Sequence, residues 1–163
     1  MSTKSTPLTD PTRPAPDART ETALKLYVVL MRASSAVAKR LEPSITKHGL
    51  TGAEFGVLEA LYHRGPLLLG EVQRKILVSS GGITFLVDRL VAKGLVVRRD
   101  CPSDRRARYA DLTPAGERLI GTIFPEHASQ IADVMATLDA DEQRQVTELL
   151  RRLGTRASEG ANA

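Results

Sequence analysis

A chain of 163 residues, 42% of them apolar, suits a single domain with an adequate core and leaves few residues for a second. The 23 Lys and Arg against 19 Asp and Glu give a net charge of only +4, so total charge alone does not argue for a polyanionic partner. One cysteine excludes an intramolecular disulfide and a thiolate-rich zinc site, and no run of about 18 apolar residues marks a membrane span or a signal peptide, so a soluble protein of a reducing cytoplasm with no membrane partner is expected.

Residues 1–19 hold Pro7, Pro11, Pro14 and Pro16 among Ser, Thr and charged side chains. That composition buries too little surface to offset the entropy of ordering, so it predicts a disordered tail. The folded domain is expected over about 20–156. Its first helix, about 20–47, places Leu24, Tyr27, Val28, Met31, Ser35 and Ala38 along one face, and Pro43 is expected to bend or end it. The helix is long and partly apolar with no nearby intrachain partner in sequence, which predicts packing against a second copy of the chain.

Thr51-Gly52-Ala53-Glu54 has the pattern of a capping box, in which the hydroxyl of the first residue and the carboxylate of the last satisfy each other's backbone N–H. Phe55, Leu58, Leu61 and Tyr62 give the following helix its stripe, and Gly65-Pro66 ends it. A short helix at about 70–77 uses Val72 and Ile76 as core residues, and a turn at Val78-Ser79 supplies Ser79 as cap for the next helix. Two helices joined by a tight turn make a helix-turn-helix over about 70–93.

From Ser80 to Lys93, Ile83, Leu86, Val87, Leu90 and Val91 recur at helical spacing and predict a buried stripe. The other side carries Gly81, Gly82, Phe85, Asp88, Arg89 and Lys93, a surface available to a partner, and Gly94 is a left-handed stop. Leu95-Val96-Val97 reads as a short strand and Tyr109 to Leu112 as its antiparallel return, with a tip of Pro, Ser, Asp and Arg between them, a wing over about 95–112. Between Arg89 and Arg108 seven basic residues (Arg89, Lys93, Arg98, Arg99, Arg105, Arg106, Arg108) face Asp100 and Asp104, an excess of +5 in 20 positions. Arg98 and Arg99 alternate across a strand, so at most one of them is expected to face a duplex without twisting. Helix, hairpin and cationic tip describe a winged helix, whose helix suits a major groove and whose tip reaches the neighbouring minor groove or backbone of double-stranded DNA.

Thr113-Pro114 is a capping hydroxyl followed by proline at the first helical position. Leu119, Ile120, Ile123 and Phe124 follow before Pro125, where a kink or break is expected. Asp139 and Glu142 cap a last helix with Val146, Leu149, Leu150 and Leu153 on one face. Gly154 is expected to end it, with residues 157–163 a frayed tail, so that helices over about 20–47 and 114–154 serve dimerisation. The fold class is therefore mostly α with a small β-hairpin wing.

Four pieces of sequence carry a family resemblance: Thr84-x-x-x-Asp88-Arg89-Leu90, Lys93-Gly94-Leu95-Val96, Asp104-x-Arg106 and Leu112-Thr113-x-x-Gly116. In order and spacing the chain resembles the MarR (multiple antibiotic resistance regulator) family of winged-helix transcription factors over roughly Thr20 to Arg156. Leu61-Tyr62-His63-x-Gly65-Pro66, Lys75-Ile76-Leu77 and Cys101-Pro102-x-Asp104-Arg105-Arg106 resemble the branch that responds to methylhydroquinone and catechols. The resemblance implies a homodimeric repressor on an inverted repeat, with a small phenolic or quinone-like effector. It implies DNA contacts from Ser79, Ser80, Gly81, Gly82, Thr84, Phe85 and Arg89 on the helix and from Arg99, Asp104, Arg105 and Arg106 on the wing. Asp104 would orient the loop while Arg106 enters the minor groove. Much of the family has a basic residue at the position of Phe85, and an aromatic ring there exchanges guanine hydrogen bonding for contact with a thymine methyl; packing on the wing or the preceding helix is its other reading.

The resemblance also places effectors where dimerisation helices meet the winged helix, which makes Tyr27, Phe55 and Tyr62 ligand candidates as well as ordinary core residues. Cys101 stands among arginines that favour a thiolate, so a redox or electrophile sensor is an alternative to an inert turn residue. A constitutive architectural DNA-binding protein and a protein-binding winged helix are further alternatives. His48, His63 and His127 are scattered, and no metal-binding, phosphate-loop or nucleophile motif occurs. Neither an enzyme nor a cofactor is expected.

Overall fold

The computed structural model describes residues 16–76, 80–101 and 104–160. The tail expected over 1–19 lies, up to residue 15, outside the described residues, and Ser79 lies outside them too. The elements run α1 (Ala18–Thr46), α2 (Gly52–Arg64), β1 (Leu67–Leu68), α3 (Leu69–Ile76), α4 (Ser80–Ala92), β2 (Val96–Cys101), β3 (Asp104–Leu112), α5 (Pro114–Met135) and α6 (Ala140–Gly160). The chain forms two compact units, Met1–Ala38 and Lys39–Ala163.

The first unit is the N-terminal part of α1. Asp17 starts the helix by accepting from the Thr20 amide at 2.7 Å, so it begins at Ala18, two residues before the sequence pattern suggested. Leu24, Leu26, Tyr27, Val28, Val29 and Met31 are all exposed on it.

In the second unit the core is Ile45, Leu50, Phe55, Val57, Leu58, Leu61, Val72, Ile83, Leu86, Val87, Leu90, Val96, Ala110, Ile120 and Ile123. Each fully buried aliphatic side chain contributes roughly 2 kcal/mol. Both capping boxes form as the sequence predicts. Thr51 and Glu54 exchange bonds of 2.8 and 3.2 Å at the start of α2, and Asp139 and Glu142 exchange two of 2.9 Å at the start of α6. The α4 stripe is buried except at Val91, which is exposed. Val91 sits at the margin of the arc centred on Ile83, Val87 and Leu90, so it turns out of the core. His127 on α5 is buried, with Nδ1 2.9 Å from the Ser44 hydroxyl, and its ring meets Phe55 edge-on. The same hydroxyl lies 2.7 Å from the Leu41 carbonyl oxygen.

Pro43 and Pro125 lie inside α1 and α5, so of the outcomes expected at each neither proline ends its helix, and three further expectations are corrected. A proline removes one helical hydrogen bond, and here buried side chains on both sides of it, Ile120, Ile123 and His127 around Pro125, hold the helix together. Gly154 likewise lies inside α6, which runs on to Gly160, because glycine lowers helix propensity without blocking the ladder. The sheet has three strands in the order β1-β3-β2, since Leu67 and Leu68 pair antiparallel with Ala110 and Tyr109. A two-residue edge strand is too short to leave a pattern in sequence. The wing strands are also longer than read, and pair from Val96↔Leu112 to Asp100↔Arg108 before a register shift between Asp100 and Cys101.

The wing is anchored at its base by a close backbone crossing. Gly94 takes φ 69° and lets Leu95 N–H close on the Leu90 carbonyl at 3.0 Å. The Leu95 carbonyl then accepts from Thr113 N–H at 3.0 Å, while the Thr113 hydroxyl donates to Gly94 O at 2.7 Å and accepts from Gly116 N–H at 3.0 Å. A Cβ on Gly116 would run into the Leu95 carbonyl oxygen, whereas one on Gly154 meets nothing within 4 Å. Gly116→Ala is therefore expected to lower the unfolding free energy by about 3 kcal/mol. Gly154→Ala, which only improves helix propensity, should raise it by about 0.5–1 kcal/mol. Urea unfolding of the two variants against the native protein checks both signs.

Candidate nucleic-acid interface

The candidate interface comprises α4 and the hairpin that follows it. Burial of Ile83, Leu86, Val87 and Leu90 fixes the helix against the core and turns the opposite side outward. Phe85 is there, 60% exposed, with the Arg89 guanidinium 5.7 Å from its ring centroid. More than half of the ring is therefore open to solvent. Thr84 is exposed on the same helix and Gly82 is half-buried.

Arg89 is not simply displayed. Its Nε lies 3.2 Å from Glu54 Oε1, and Lys93 Nζ lies 2.9 Å from the same atom while donating to the Gly49 carbonyl at 2.8 Å. Glu54 is fully buried at the start of α2. Burial pushes its carboxyl up, but Lys93 and then the amide and hydroxyl of Thr51 more than reverse that, and it titrates below the ordinary 4.5.

The hairpin cations are matched in the same way. Arg98 pairs with Asp88 on α4 at 2.8 Å and reaches the Thr84 carbonyl at 3.4 Å, so the wing is tied to the helix. Arg99 pairs with Asp111 at 2.7 Å, and Arg108 pairs with Asp100 across the strands. Both Arg98 and Arg99 thus have carboxylate partners, where at most one was expected to face a duplex and the other simply to be solvated. The five basic side chains described between Arg89 and Arg108 lie against four carboxylates, Glu54, Asp88, Asp100 and Asp111. Three of those acids stand outside the 20-residue window from which the excess of +5 was counted, so the cationic excess of the folded surface is smaller than that window implied.

Asp104, Arg105 and Arg106 belong to strand β3 rather than to a loop, because pairing continues to Cys101↔Asp104. The side chains of Ser80, Gly81, Cys101, Asp104, Arg105 and Arg106 lie outside those described. The ligand candidates differ in their surroundings. Phe55 is a core residue packed on His127, Tyr62 is partly exposed beside His63 and Phe124, and Tyr27 is exposed in the N-terminal unit. A cleft of about 410 Å³ lined by Arg40, Pro43, Ser44, Lys47, Glu126, Gln130, Asp133 and Val134 contains none of the three. Glu54, Asp88 and Asp111 were missed as site residues. Glu54 was legible as a cap, but nothing in its sequence neighbourhood shows which cations it meets.

Comparison with known proteins gives a consistent result. A family profile described as MarR family matches residues 48–107. The chain is 42% identical over 143 residues to the HTH-type transcriptional regulator MhqR of Bacillus subtilis, a match covering 88% of this chain and 99% of that protein. It is similar in structure to BpsR of Bordetella bronchiseptica, whose DNA binding is regulated by 6-hydroxynicotinic acid, with 28% identity, a TM-score of 0.71 and coverage of 80% of this chain and 98% of that one. It shares the fold of a mutant Escherichia coli MarR complexed with operator DNA, at 24% identity and a TM-score of 0.75 over 85% of this chain and 99% of that one.

The depressed Glu54 titration carries a signed consequence for stability. A carboxyl with a folded-state pKa below its unfolded value stabilises the fold fully above the unfolded value, 4.5 here, and loses that contribution as pH falls through the folded one. Urea unfolding from about pH 7 to about pH 3 should show this loss in the native protein and a shallower acid dependence in Glu54→Gln. Parallel curves for the two proteins would mean that the carboxylate contributes no such linkage.

Proposed function

The chain belongs to the MarR family of DNA-binding transcription regulators, which are not enzymes, and on that premise we propose that it is a homodimeric repressor released from an inverted-repeat operator by a small phenolic or quinone-like effector. The observation that carries the DNA reading is the outward face of α4, where exposed Phe85 stands opposite a stripe buried in the core. A helix of this width fits the major groove. Arg106 at the far end of β3 then reaches the minor groove, as the family resemblance implies, with Arg105 and Asp104 beside it.

Dimerisation rests on apolar surface that the single chain leaves exposed. Val146, Leu149, Leu150 and Leu153 line one face of α6, and the N-terminal unit exposes Leu24, Tyr27, Val28 and Met31. Covering such faces with a second copy gives a twofold protein, which reads half-sites about 10 bp apart. The effector class is supported by the identity to MhqR and by the hydroxylated aromatic acid that regulates BpsR. The cleft beside α5 joins apolar Pro43 and Val134 to the polar groups Arg40, Ser44 and Gln130, while Lys47 is already paired with Glu126, a mixed lining that can take an aromatic ring with hydroxyl groups. Release follows if the ligand binds more tightly to a dimer whose helices no longer match the half-site spacing. A thermal-shift screen of phenols and quinones with DNA release as readout tests it, and stabilisation without release would leave a regulator with no effector control through this route.

Two further outcomes are expected. Replacing both Leu149 and Leu153 by Glu should give folded monomers by sedimentation with weak operator binding, because two half-sites no longer act at one effective concentration; an unchanged dimer would move the interface elsewhere. Phe85→Ala should relax preference at one thymine per half-site by ~1 kcal/mol while leaving non-specific affinity nearly unchanged. Operators with uracil in place of each thymine remove only the methyl, and if the native protein is insensitive at every position, Phe85 meets no base.

A further inference from the structure

Glu54 has two oxygens with two separate tasks. Oε2 accepts from the Thr51 amide at 2.8 Å and closes the capping box of α2. Oε1 is buried, accepts no well-aligned hydrogen bond, and is instead approached by the two cations of α4, Lys93 at 2.9 Å and Arg89 at 3.2 Å. Arg89 and Lys93 are four residues apart and so share one side of the helix. The Arg89 guanidinium also lies over the exposed Phe85 ring, 5.7 Å from its centroid. A cap needs only one oxygen and no burial of charge, so the capping role leaves Oε1 and its two cations unexplained.

We propose that Glu54 is a positioning residue for DNA recognition: by holding Arg89 and Lys93 it keeps their charge from the phosphates and fixes α4, so that groove contacts rather than bulk attraction decide where the protein binds. This rests on the reading of α4 as the groove helix. The physical reason is that phosphate neutralisation supplies nearly all of non-specific affinity and is blind to sequence. A cation whose charge is already balanced by a buried carboxylate releases fewer counterions on binding. Its position, however, is held more firmly, because α2 and the Gly49 carbonyl are the other ends of the tether.

A double-mutant cycle of Glu54→Gln and Arg89→Gln separates this from a merely structural role. Binding would be measured across a salt series to a random-sequence duplex and to a duplex selected by the native protein from a random library. Glu54→Gln should bind the random duplex several-fold tighter at low salt, steepen its salt slope by about one to two, and narrow the preference for the selected duplex. Adding Arg89→Gln should remove about one of that gain, whereas Arg89→Gln in the native background should change the slope by less than about half of one and weaken discrimination. Additive slopes, or a Glu54→Gln protein that is folded by circular dichroism and has native slope and preference, would overturn the proposal. If Glu54→Gln does not fold, the Arg89→Gln arm decides alone, since a fall of about one in slope marks a free phosphate contact. The reading of α4 fails separately, by native protein that prefers its selected duplex with no sensitivity to Phe85→Ala.

Discussion

A carboxylate withdrawn from water needs compensation within the protein, and much of this structure is arranged around how Glu54 obtains it. The side chain is completely buried at the start of α2, and its three partners come from two places, Thr51 at the cap and Arg89 and Lys93 from α4. Stripping both cations away would leave an uncompensated charge in a region of low dielectric, a costly outcome for any buried pair. The interaction therefore links the orientation of the helix that faces outward to the beginning of the helix that carries Phe55, Val57, Leu58 and Leu61 into the core. Hydrophobic burial along Ile83, Val87 and Leu90 sets which side of α4 points in, but such contacts are non-directional. The ion pairs add direction.

The wing is held by a different device. Gly94 turns the chain out of α4, Leu95 crosses directly over Gly116, and Thr113 spans the gap with its amide and hydroxyl. The Arg98 pair with Asp88 then fastens the hairpin to the middle of α4. Helix and wing are thus positioned relative to each other by backbone geometry at one end and by charge along the side, as the proposed reading of a duplex at two points requires.

Pairing of cations with carboxylates also changes the meaning of a basic surface. A stretch rich in arginine attracts DNA of any sequence when its charges are free. Here Arg89, Lys93, Arg98, Arg99 and Arg108 each have an acidic neighbour within the fold. The exposed pairs among these, Arg98 with Asp88 and Arg108 with Asp100, add little to stability. Their effect falls on how much of the positive field reaches a polyanion, and that is a quantity of recognition more than of folding.

What was legible in the sequence was whatever depends on neighbours along the chain. Helix starts at Thr51, Thr113 and Asp139, the left-handed stop at Gly94 and the stripe of α4 all follow from local hydrogen bonding and helical period, and the four motifs around the wing were enough to place the chain in its family. Local rules misjudged Gly154 and left open whether Pro43 and Pro125 end their helices, because a helix supported by packing or by its flanking residues tolerates a residue that an isolated one does not. They also stopped the wing strands early, since strand length depends on a partner's register, and they could not see β1, whose two residues are a strand only because β3 lies beside them. Tertiary structure alone decided which acid meets which cation: Glu54 and Arg89 are 35 positions apart, and no pattern in a linear charge count joins them. Charge interacts through space, and until the chain folds a sequence fixes only how many charges there are.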